Sequence, residues 1–174
     1  LPGGSYTVSV TDENGCLVEL TTSVPVAPSP LLQLVSTTPS YCGQATGNIS
    51  VQATGGTGAI QYQWSQDPGL NGPSAVNLPV GTYSVTISDA NNCTAALTSD
   101  IVNVPGPVIG AVTAIDDYCN AGAGSITVNA VGGTGALTYT WSQNPLLNSN
   151  TATGLTAGSY SVTVTDAYNC SNAQ

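Results

Sequence analysis

The sequence repeats itself every 77 residues. Cys16, Cys93 and Cys170 mark this spacing, and residues 55–66 return as 132–143 with differences at only three of the twelve positions, 60, 61 and 63. A fixed period of this length is typical of tandem arrays in which every copy adopts the same fold. In this register the chain is expected to contain three parts: the C-terminal part of one repeat (1–27), a complete repeat (28–105) and a third repeat without its last strand (106–174).

Each repeat contains a segment in which apolar and polar residues alternate. Tyr83, Val85 and Ile87 fall on one side of an extended chain, with Ser and Thr between them on the other side. This pattern predicts a half-buried β-strand. Residues 89–92 follow it with residue types that tolerate a positive φ, as a hairpin turn requires. Since no segment has helical spacing, we predict an all-β chain of tandem antiparallel β-sandwiches with about seven short strands each.

The composition argues against several classes of function. The chain has no Lys, Arg or His and nine Asp and Glu residues, which give a formal charge of −9. Nucleic acids and anionic membranes are bound through cations, so neither partner is expected. Catalytic triads, Schiff-base lysines and phosphate clamps need the same side chains, so we expect no enzyme. Because no apolar run approaches roughly 18 residues, no membrane insertion of this segment is expected.

Five cysteines recur at equivalent positions without a CxxC pair, which favours disulfides in an oxidising, extracellular or cell-surface location. Bonds within repeats would be Cys42–Cys93 and Cys119–Cys170, leaving Cys16 to a partner upstream. In an immunoglobulin-like topology, however, strands of about six residues hold those positions roughly 20 Å apart, beyond the reach of a disulfide. A bond between repeats, Cys42–Cys170, would lock neighbouring domains together. Free or intermolecular thiols are the third alternative.

Three aspartates recur with the period, Asp12, Asp89 and Asp166, and each is followed two residues later by Asn or Tyr–Asn in a turn. Oxygen-rich turns of this kind can hold calcium. The alternative is an Asx turn, in which the carboxylate accepts backbone N–H groups. Asp116 and Asp117 do not recur, but lie near the junction of two repeats and are further calcium candidates. No other cofactor is expected.

The motifs resemble those of a known repeat. Gly-Gly-Thr-Gly-Ala-x-x-Tyr-x-Trp-Ser at 55–65 is followed by Leu-x-x-Gly-Thr-Tyr-x-Val-x-Ile-x-Asp at 78–89, then by a turn and Cys93. This pattern resembles the SprB-type repeats of bacterial cell-surface adhesins, and the resemblance covers nearly the whole chain. It implies an immunoglobulin-like sandwich, related to PKD modules, within long cell-surface or secreted proteins whose arrays form stalks and filaments.

The resemblance also implies structural roles for five aromatic residues. Tyr83, with Leu78 and Gly81, is expected to form a tyrosine corner, in which the phenol hydroxyl bonds back to the main chain. Its equivalents Tyr6 and Tyr160 are expected to be structural core residues. Trp64 and Trp141 are expected to pack between the two sheets. The alternative for these tryptophans is a platform that stacks on sugars, which would require exposed rings.

Two functions follow as hypotheses. The first is a structural module of an adhesin stalk or extracellular fibril, whose partners are neighbouring repeats or identical chains in a rod or filament. The second is an adhesion module that binds surface glycans or another protein through loops at one pole. Residues 66–77 and 143–154, the most divergent pair of equivalent segments, are the candidates for such loops.

Overall fold

A computed structural model describes all residues, Leu1–Gln174, and consists of strands and connecting turns. No helix that could cross a lipid bilayer is present. The strands are β1 (Gly4–Thr11), β2 (Leu17–Val24), β3 (Pro30–Thr38), β4 (Ser40–Tyr41), β5 (Gly47–Gly55), β6 (Gln61–Trp64), β7 (Ser74–Leu78), β8 (Gly81–Ser88), β9 (Thr94–Ile101), β10 (Asn103–Val104), β11 (Pro107–Ile115), β12 (Gly124–Gly132), β13 (Thr138–Trp141), β14 (Thr151–Leu155), β15 (Val162–Thr165) and β16 (Ser171–Ala173).

The strand order is that of an immunoglobulin-like sandwich. In the complete repeat one sheet has the order β3-β5-β7 and the other β6-β8-β9; the third repeat follows the same plan with β11-β12-β14 and β13-β15-β16. The last strand, expected to be missing from the third repeat, is present as the three-residue β16. Named by immunoglobulin convention, these are an A-B-E sheet and a C-F-G sheet. The predicted all-β, immunoglobulin-like fold class is therefore confirmed. The two-residue strands β4 and β10 add a small parallel pair.

The alternating segment forms strand β8 with its apolar side inward, as its pattern predicts. Tyr83, Val85 and Ile87 are 7%, 1% and 0% exposed, whereas Thr86 between them is exposed. In the third repeat the buried cluster is assembled from one or two residues of each of the four strands β12 to β15: Val128, Trp141, Ala152, Val162 and Val164. A small sandwich therefore obtains most of its stability from a few side chains on the inner faces of its sheets.

The turn after β8 has the backbone conformation that its residue types indicate. Asn92 has a φ of 60°, its equivalent Asn169 also has a φ of 60°, and Gly15 at the same place in the first hairpin has a φ of 79°. Asn and Gly are the residues that enter this left-handed region at low cost. Each turn joins two antiparallel strands, β1–β2, β8–β9 and β15–β16.

The chain divides into two compact units, and the division runs through the strands of the complete repeat. The first unit is Leu1–Leu34, Val51–Pro73 and Ser84–Leu97; the second is Val35–Ser50, Ser74–Tyr83 and Thr98–Gln174. The second unit thus contains one end of the complete repeat together with the whole third repeat. The first unit includes the β1–β2 hairpin, paired from Gly4↔Val24 to Thr11↔Leu17.

Candidate functional site

A disulfide joins consecutive repeats within the second compact unit. Cys42 and Cys170 are bonded across a sequence separation of 128 residues, with their Cα atoms 5.5 Å apart. Cys42 follows β4 in the connection between the first two long strands of the complete repeat, and Cys170 ends the β15–β16 turn of the third repeat. Cys170 is 2% exposed. Of the three cysteine arrangements that the sequence allows, this is the bond between repeats.

Bonds within repeats are not formed. Cys16, Cys93 and Cys119 carry free thiols, so neither Cys42–Cys93 nor Cys119–Cys170 exists. The third repeat gives the physical reason. Cys170 lies beside Gly106, just before β11 begins, whereas Cys119 follows the end of β11. A strand of this length spans roughly 25 Å at about 3.3 Å per residue, far more than the reach of a disulfide.

Backbone hydrogen bonds fix the position of Cys42. Strand β10, which leads out of the complete repeat, runs parallel to β4. The Ser40 N–H donates to the Val102 carbonyl over 2.9 Å, and the Cys42 N–H donates to the Val104 carbonyl over 3.0 Å. Ser40 is 0% exposed. The segment that links two repeats is therefore held against the same loop that carries the disulfide.

Side chains complete this junction on both sides of the bond. The rings of Tyr41 and Tyr168 stack with centroids 3.7 Å apart and an interplanar angle of 9°. The Asn172 side-chain amide donates to the Pro107 carbonyl over 3.3 Å. A Cβ atom placed on Gly106 would lie 2.7 Å from the Cys170 Cβ, so the linker passes too close to the disulfide to carry a side chain at that position. We call this set of contacts the junction: residues 40–43, 102–107 and 168–172.

The recurring aspartates form Asx turns and reach a second loop. Asp89 Oδ1 accepts the N–H groups of Asn91 and Cys93, each over 2.9 Å, and Oδ2 accepts the N–H of Thr57 over 2.9 Å. The Thr57 carbonyl in turn accepts the Ala90 N–H. Asp166 repeats the pattern, with Oδ2 accepting the Thr134 N–H over 2.8 Å. Each carboxylate thus ties its hairpin turn to a glycine-rich loop between two strands.

These hydrogen bonds control the titration of the two carboxyls. Burial by itself raises the pKa of Asp89, but donation from the backbone N–H groups of Cys93, Thr57 and Asn91 outweighs it, and the net pKa lies below its ordinary value. The pKa of Asp166 is lowered in the same way, against burial, by its three backbone donors. Hydrogen bonds to the charged form favour that form, so both groups are carboxylates in the folded chain at neutral pH.

The remaining calcium candidates lie in simpler surroundings. Asp12 accepts the N–H groups of Asn14 and Cys16 and is exposed. Asp117 Oδ1 accepts the Ala123 N–H over 3.0 Å, while its Oδ2 is buried without a donor. Asp116 is exposed. No three His, Cys, Asp or Glu side chains are arranged to hold a metal ion.

The aromatic residues have structural contacts. The hydroxyls of Tyr6, Tyr83 and Tyr160 donate to the carbonyls four residues earlier, over 2.5, 2.9 and 2.7 Å, which is the geometry of a tyrosine corner. Trp64 and Trp141 are 2% and 3% exposed. Their indole N–H groups donate to backbone carbonyls 3.0 and 2.9 Å away. Buried rings with satisfied N–H groups have no face available to stack on a sugar.

Two features of these sites are absent from the sequence-based predictions. One is the contact of Asp89 with Thr57 and of Asp166 with Thr134; a signal existed, because both members of the pair recur with the 77-residue period. The other is the ring stack at the junction. Tyr168 has Asn91 at the equivalent position of the complete repeat, so the period gives no indication of that contact.

Comparison with known families supports the repeat assignment. The SprB repeat family model matches residues 34–69 and 111–146, two segments that are themselves offset by 77 residues. The resemblance to SprB repeats that the motifs indicate is therefore confirmed, once in the complete repeat and once in the third. Among curated proteins, none matches the sequence.

Solved structures with some likeness to the chain are immunoglobulin-domain proteins. One is the N-terminal eight Ig domains of Down Syndrome Cell Adhesion Molecule (DSCAM) isoform 1.30.30, with 13% identity and a TM-score of 0.49, covering 99% of this chain and 30% of that structure's chain. Another is Dpr2 Ig1-Ig2 in complex with DIP-Theta Ig1-Ig3, with 10% identity, a TM-score of 0.33, and coverage of 99% and 71%. The fold assignment rests on the strand order and not on these likenesses. With the two SprB matches, that order marks the chain as a repeat module of structural or adhesion type.

Proposed function

We propose that the chain is a load-bearing segment of an extracellular or cell-surface array. This array is a stalk or filament in which a disulfide covalently joins consecutive repeats across each linker. The observation that carries the proposal is the Cys42–Cys170 bond across the junction. A linker without such a bond transmits force through the peptide chain alone. A linker bridged by a disulfide is closed by a second covalent path.

The surroundings of the bond support a structural role. The junction is held by the parallel β4–β10 pair, by stacked tyrosine rings and by a glycine that lets the linker approach the disulfide. These contacts fix one repeat to the next. The chain has no Lys, Arg or His, so a non-enzymatic role is part of the proposal.

The chemistry of the bond supports an extracellular location. A disulfide between distant parts of the sequence persists in oxidising surroundings and is rare where thioredoxin and glutathione keep thiols reduced. The formal charge of −9 suits exposure to the outside medium, since a strong net charge keeps a protein soluble.

Single-molecule stretching tests the load-bearing proposal. With handles at the two termini, force on the unfolded, oxidised chain passes through the Cys42–Cys170 bond, and residues 43–169 are not extended. After complete unfolding the oxidised chain should be shorter than the reduced chain by roughly 420–460 Å, at 3.3–3.6 Å per residue over the 128-residue separation. Addition of a reductant during stretching should release this length in one step.

A matched variant provides the control. Cys16→Ser removes an exposed free thiol and should leave the extension of the oxidised chain unchanged. Cys42→Ser should give the length of the reduced chain under all conditions. Equal extension of the oxidised and reduced chains would contradict the proposal, because the bond would then not lie on the path of the force.

A further inference from the structure

The third repeat carries a second copy of one half of the junction, and this half is open. Tyr118 and Cys119 lie 77 residues after Tyr41 and Cys42. Where Tyr41 stacks on Tyr168, Tyr118 is 73% exposed; where Cys42 is bonded, Cys119 is an exposed free thiol. The same residue types are thus present without the partners that they contact in the preceding repeat.

The backbone of this open half already has the bonded conformation. Cys42 and Gly43 have φ angles of 55° and 69°, and Cys119 and Asn120 have φ angles of 61° and 53°. A left-handed backbone is uncommon for a cysteine, and two such residues in succession are rarer still. The loop at 119–120 therefore presents its thiol in the arrangement that Cys42 uses in its disulfide.

A groove beside the open loop matches a site that is filled in the complete repeat. There, Ile101 is 2% exposed and its side chain packs so closely on Gly47 that an added Cβ would lie 2.6 Å from it. At the equivalent Gly124 an added Cβ would meet no such side chain; its neighbours are the Leu155 and Ile115 carbonyls and the Asp117 Cβ. The groove has a volume of about 510 Å³ and is lined by Ile115, Asp117, Gly124, Leu155 and Tyr160, among others.

Asp117 lines the same groove and has one buried carboxylate oxygen, Oδ2. Asp117 Oδ2 has no hydrogen-bond donor, and Asp117 stands where the complete repeat has Ser40. The N–H of Ser40 donates to the strand segment that carries Ile101 and Val104. Thiol, aromatic ring and groove are therefore three marks of one missing partner.

We propose that this pole of the third repeat is the receiving half of the same junction, and that its occupant is a further copy of residues 98–174 in tandem. The segment equivalent to Ile101–Val104 fills the groove and pairs with residues 117–118. The thiol equivalent to Cys170 bonds to Cys119, again at a separation of 128 residues. The proposal rests on the array function above. It adds that every junction is closed by one disulfide between cysteines 128 residues apart.

The bond forms by ordinary thiol–disulfide exchange. The Cys119 thiolate attacks a low-molecular-weight disulfide such as oxidised glutathione, forms a mixed disulfide and releases one glutathione thiolate. The second cysteine thiolate then attacks the Cys119 sulfur and releases the other glutathione. Two electrons pass from the protein thiols to the oxidant and their two protons go to the released glutathione thiolates, so one protein disulfide and two reduced glutathione molecules result.

The test is an extended chain, residues 1–174 followed directly by a second copy of 98–174, refolded in a glutathione redox buffer. Non-reduced chymotryptic peptides are mapped by mass spectrometry. The Cys170 peptide of the appended copy ends at the C-terminus, so its mass differs from that of the original Cys170 peptide. We expect the C-terminal peptide to be recovered almost entirely linked to the Cys119 peptide, in a monomeric chain.

Two variants identify which Cys119 is bonded. Cys119→Ser in the original repeat should abolish the link, whereas Cys119→Ser in the appended copy should leave it intact. The reverse result would mean a bond within the repeat, and a C-terminal peptide with a free thiol or a covalent dimer would equally overturn the proposal. The Cys42–Cys170 peptide in the same digest reports separately on the first junction, so failure of the array function is distinguished from failure of this inference.

Hydrogen exchange gives a readout that does not depend on the thiols. In the complete repeat the N–H groups of Ser40 and Cys42 donate to the linker strand. In the extended chain with the original Cys119 replaced by Ser, the amides of residues 117 and 119 should still exchange at least tenfold more slowly than in the 174-residue chain. Unchanged exchange at both amides would show that the groove does not take the strand.

Discussion

At the scale of single residues, backbone N–H groups take the place of cations as the partners of Asp89 and Asp166. The chain has no Lys, Arg or His with which an acid could pair. Each of the two carboxylates instead accepts three backbone N–H groups, two in its own turn and one in the glycine-rich loop. Charge-assisted hydrogen bonds of this kind are stronger than neutral ones, so a few acids can hold two loops in place.

These carboxylates predict a dependence of stability on acid. Their pKa values are lowered in the folded chain, so their contribution is fully present above the unfolded value of about 4 and is lost as pH falls through the folded pKa. The urea concentration at the midpoint of unfolding, measured from pH 7 to pH 2, should therefore decrease once the pH is below about 4. A midpoint that stays constant over that range would contradict the assignment.

Substitution separates the loop contact from the turn itself. In Asp89→Asn the amide oxygen can replace Oδ1, but an amide nitrogen at Oδ2 cannot accept the Thr57 N–H. We expect a lower urea midpoint at pH 7 and a weaker dependence on acid than in the unchanged chain. Asp12→Asn is the control, because Asp12 accepts only the two N–H groups of its own turn.

At the scale of strands and linkers, the sequence predicts the local features of one repeat, whereas it leaves the Cys42–Cys170 bond between repeats as one of three alternatives. The alternation in β8, the positive φ at Asn92 and the tyrosine corner at Tyr83 depend on residues close in sequence. The pairing of Cys42 depends on which turns meet at the junction. The spacing of the cysteines is the same whether bonds lie within repeats or between them, so only the path of the strands decides.

The linker makes this dependence testable at Gly106. An added Cβ would lie 2.7 Å from the Cys170 Cβ, so either the linker or the disulfide must shift. Gly106→Ala should reduce the free energy of unfolding by about 1–3 kcal/mol, the usual range for overpacking. It should also slow formation of the Cys42–Cys170 bond, measured by alkylation of free thiols during oxidative refolding.

Gly72→Ala is the matched control for that linker variant. Gly72 has no atoms within 4 Å of an added Cβ and does not have a positive φ. Its substitution should change neither stability nor the rate of bond formation appreciably. If the two variants behaved alike, close approach of the linker to the disulfide would not be the cause of the effect.

At the scale of the whole chain, the disulfide has a large influence on the unfolded state because its two cysteines are far apart in sequence. The bond closes a loop of 128 residues out of 174. In the chain-entropy description, longer loops restrict the unfolded chain more, and the gain is about 2–5 kcal/mol. That amount is a large fraction of the about 5–15 kcal/mol by which a domain is typically stable.

Removal of this bond should therefore be visible in equilibrium unfolding. The double variant Cys42→Ser/Cys170→Ser should lose about 2–5 kcal/mol in urea titrations and match the reduced, unchanged chain. Cys16→Ser, which removes an exposed thiol, should have the stability of the oxidised chain. A double variant as stable as the oxidised chain would show that the bond does not restrict the unfolded state.

The same bond changes what a protease can achieve. A single backbone cut anywhere from residue 43 to residue 169 produces two pieces that stay attached through Cys42 and Cys170. Trypsin-like enzymes find no Lys or Arg at which to begin, and other proteases that nick an exposed loop would release no fragment. In an array closed at each junction by such bonds, damage to one loop would leave the strand of repeats unbroken, so repair or replacement would not be needed after every cut.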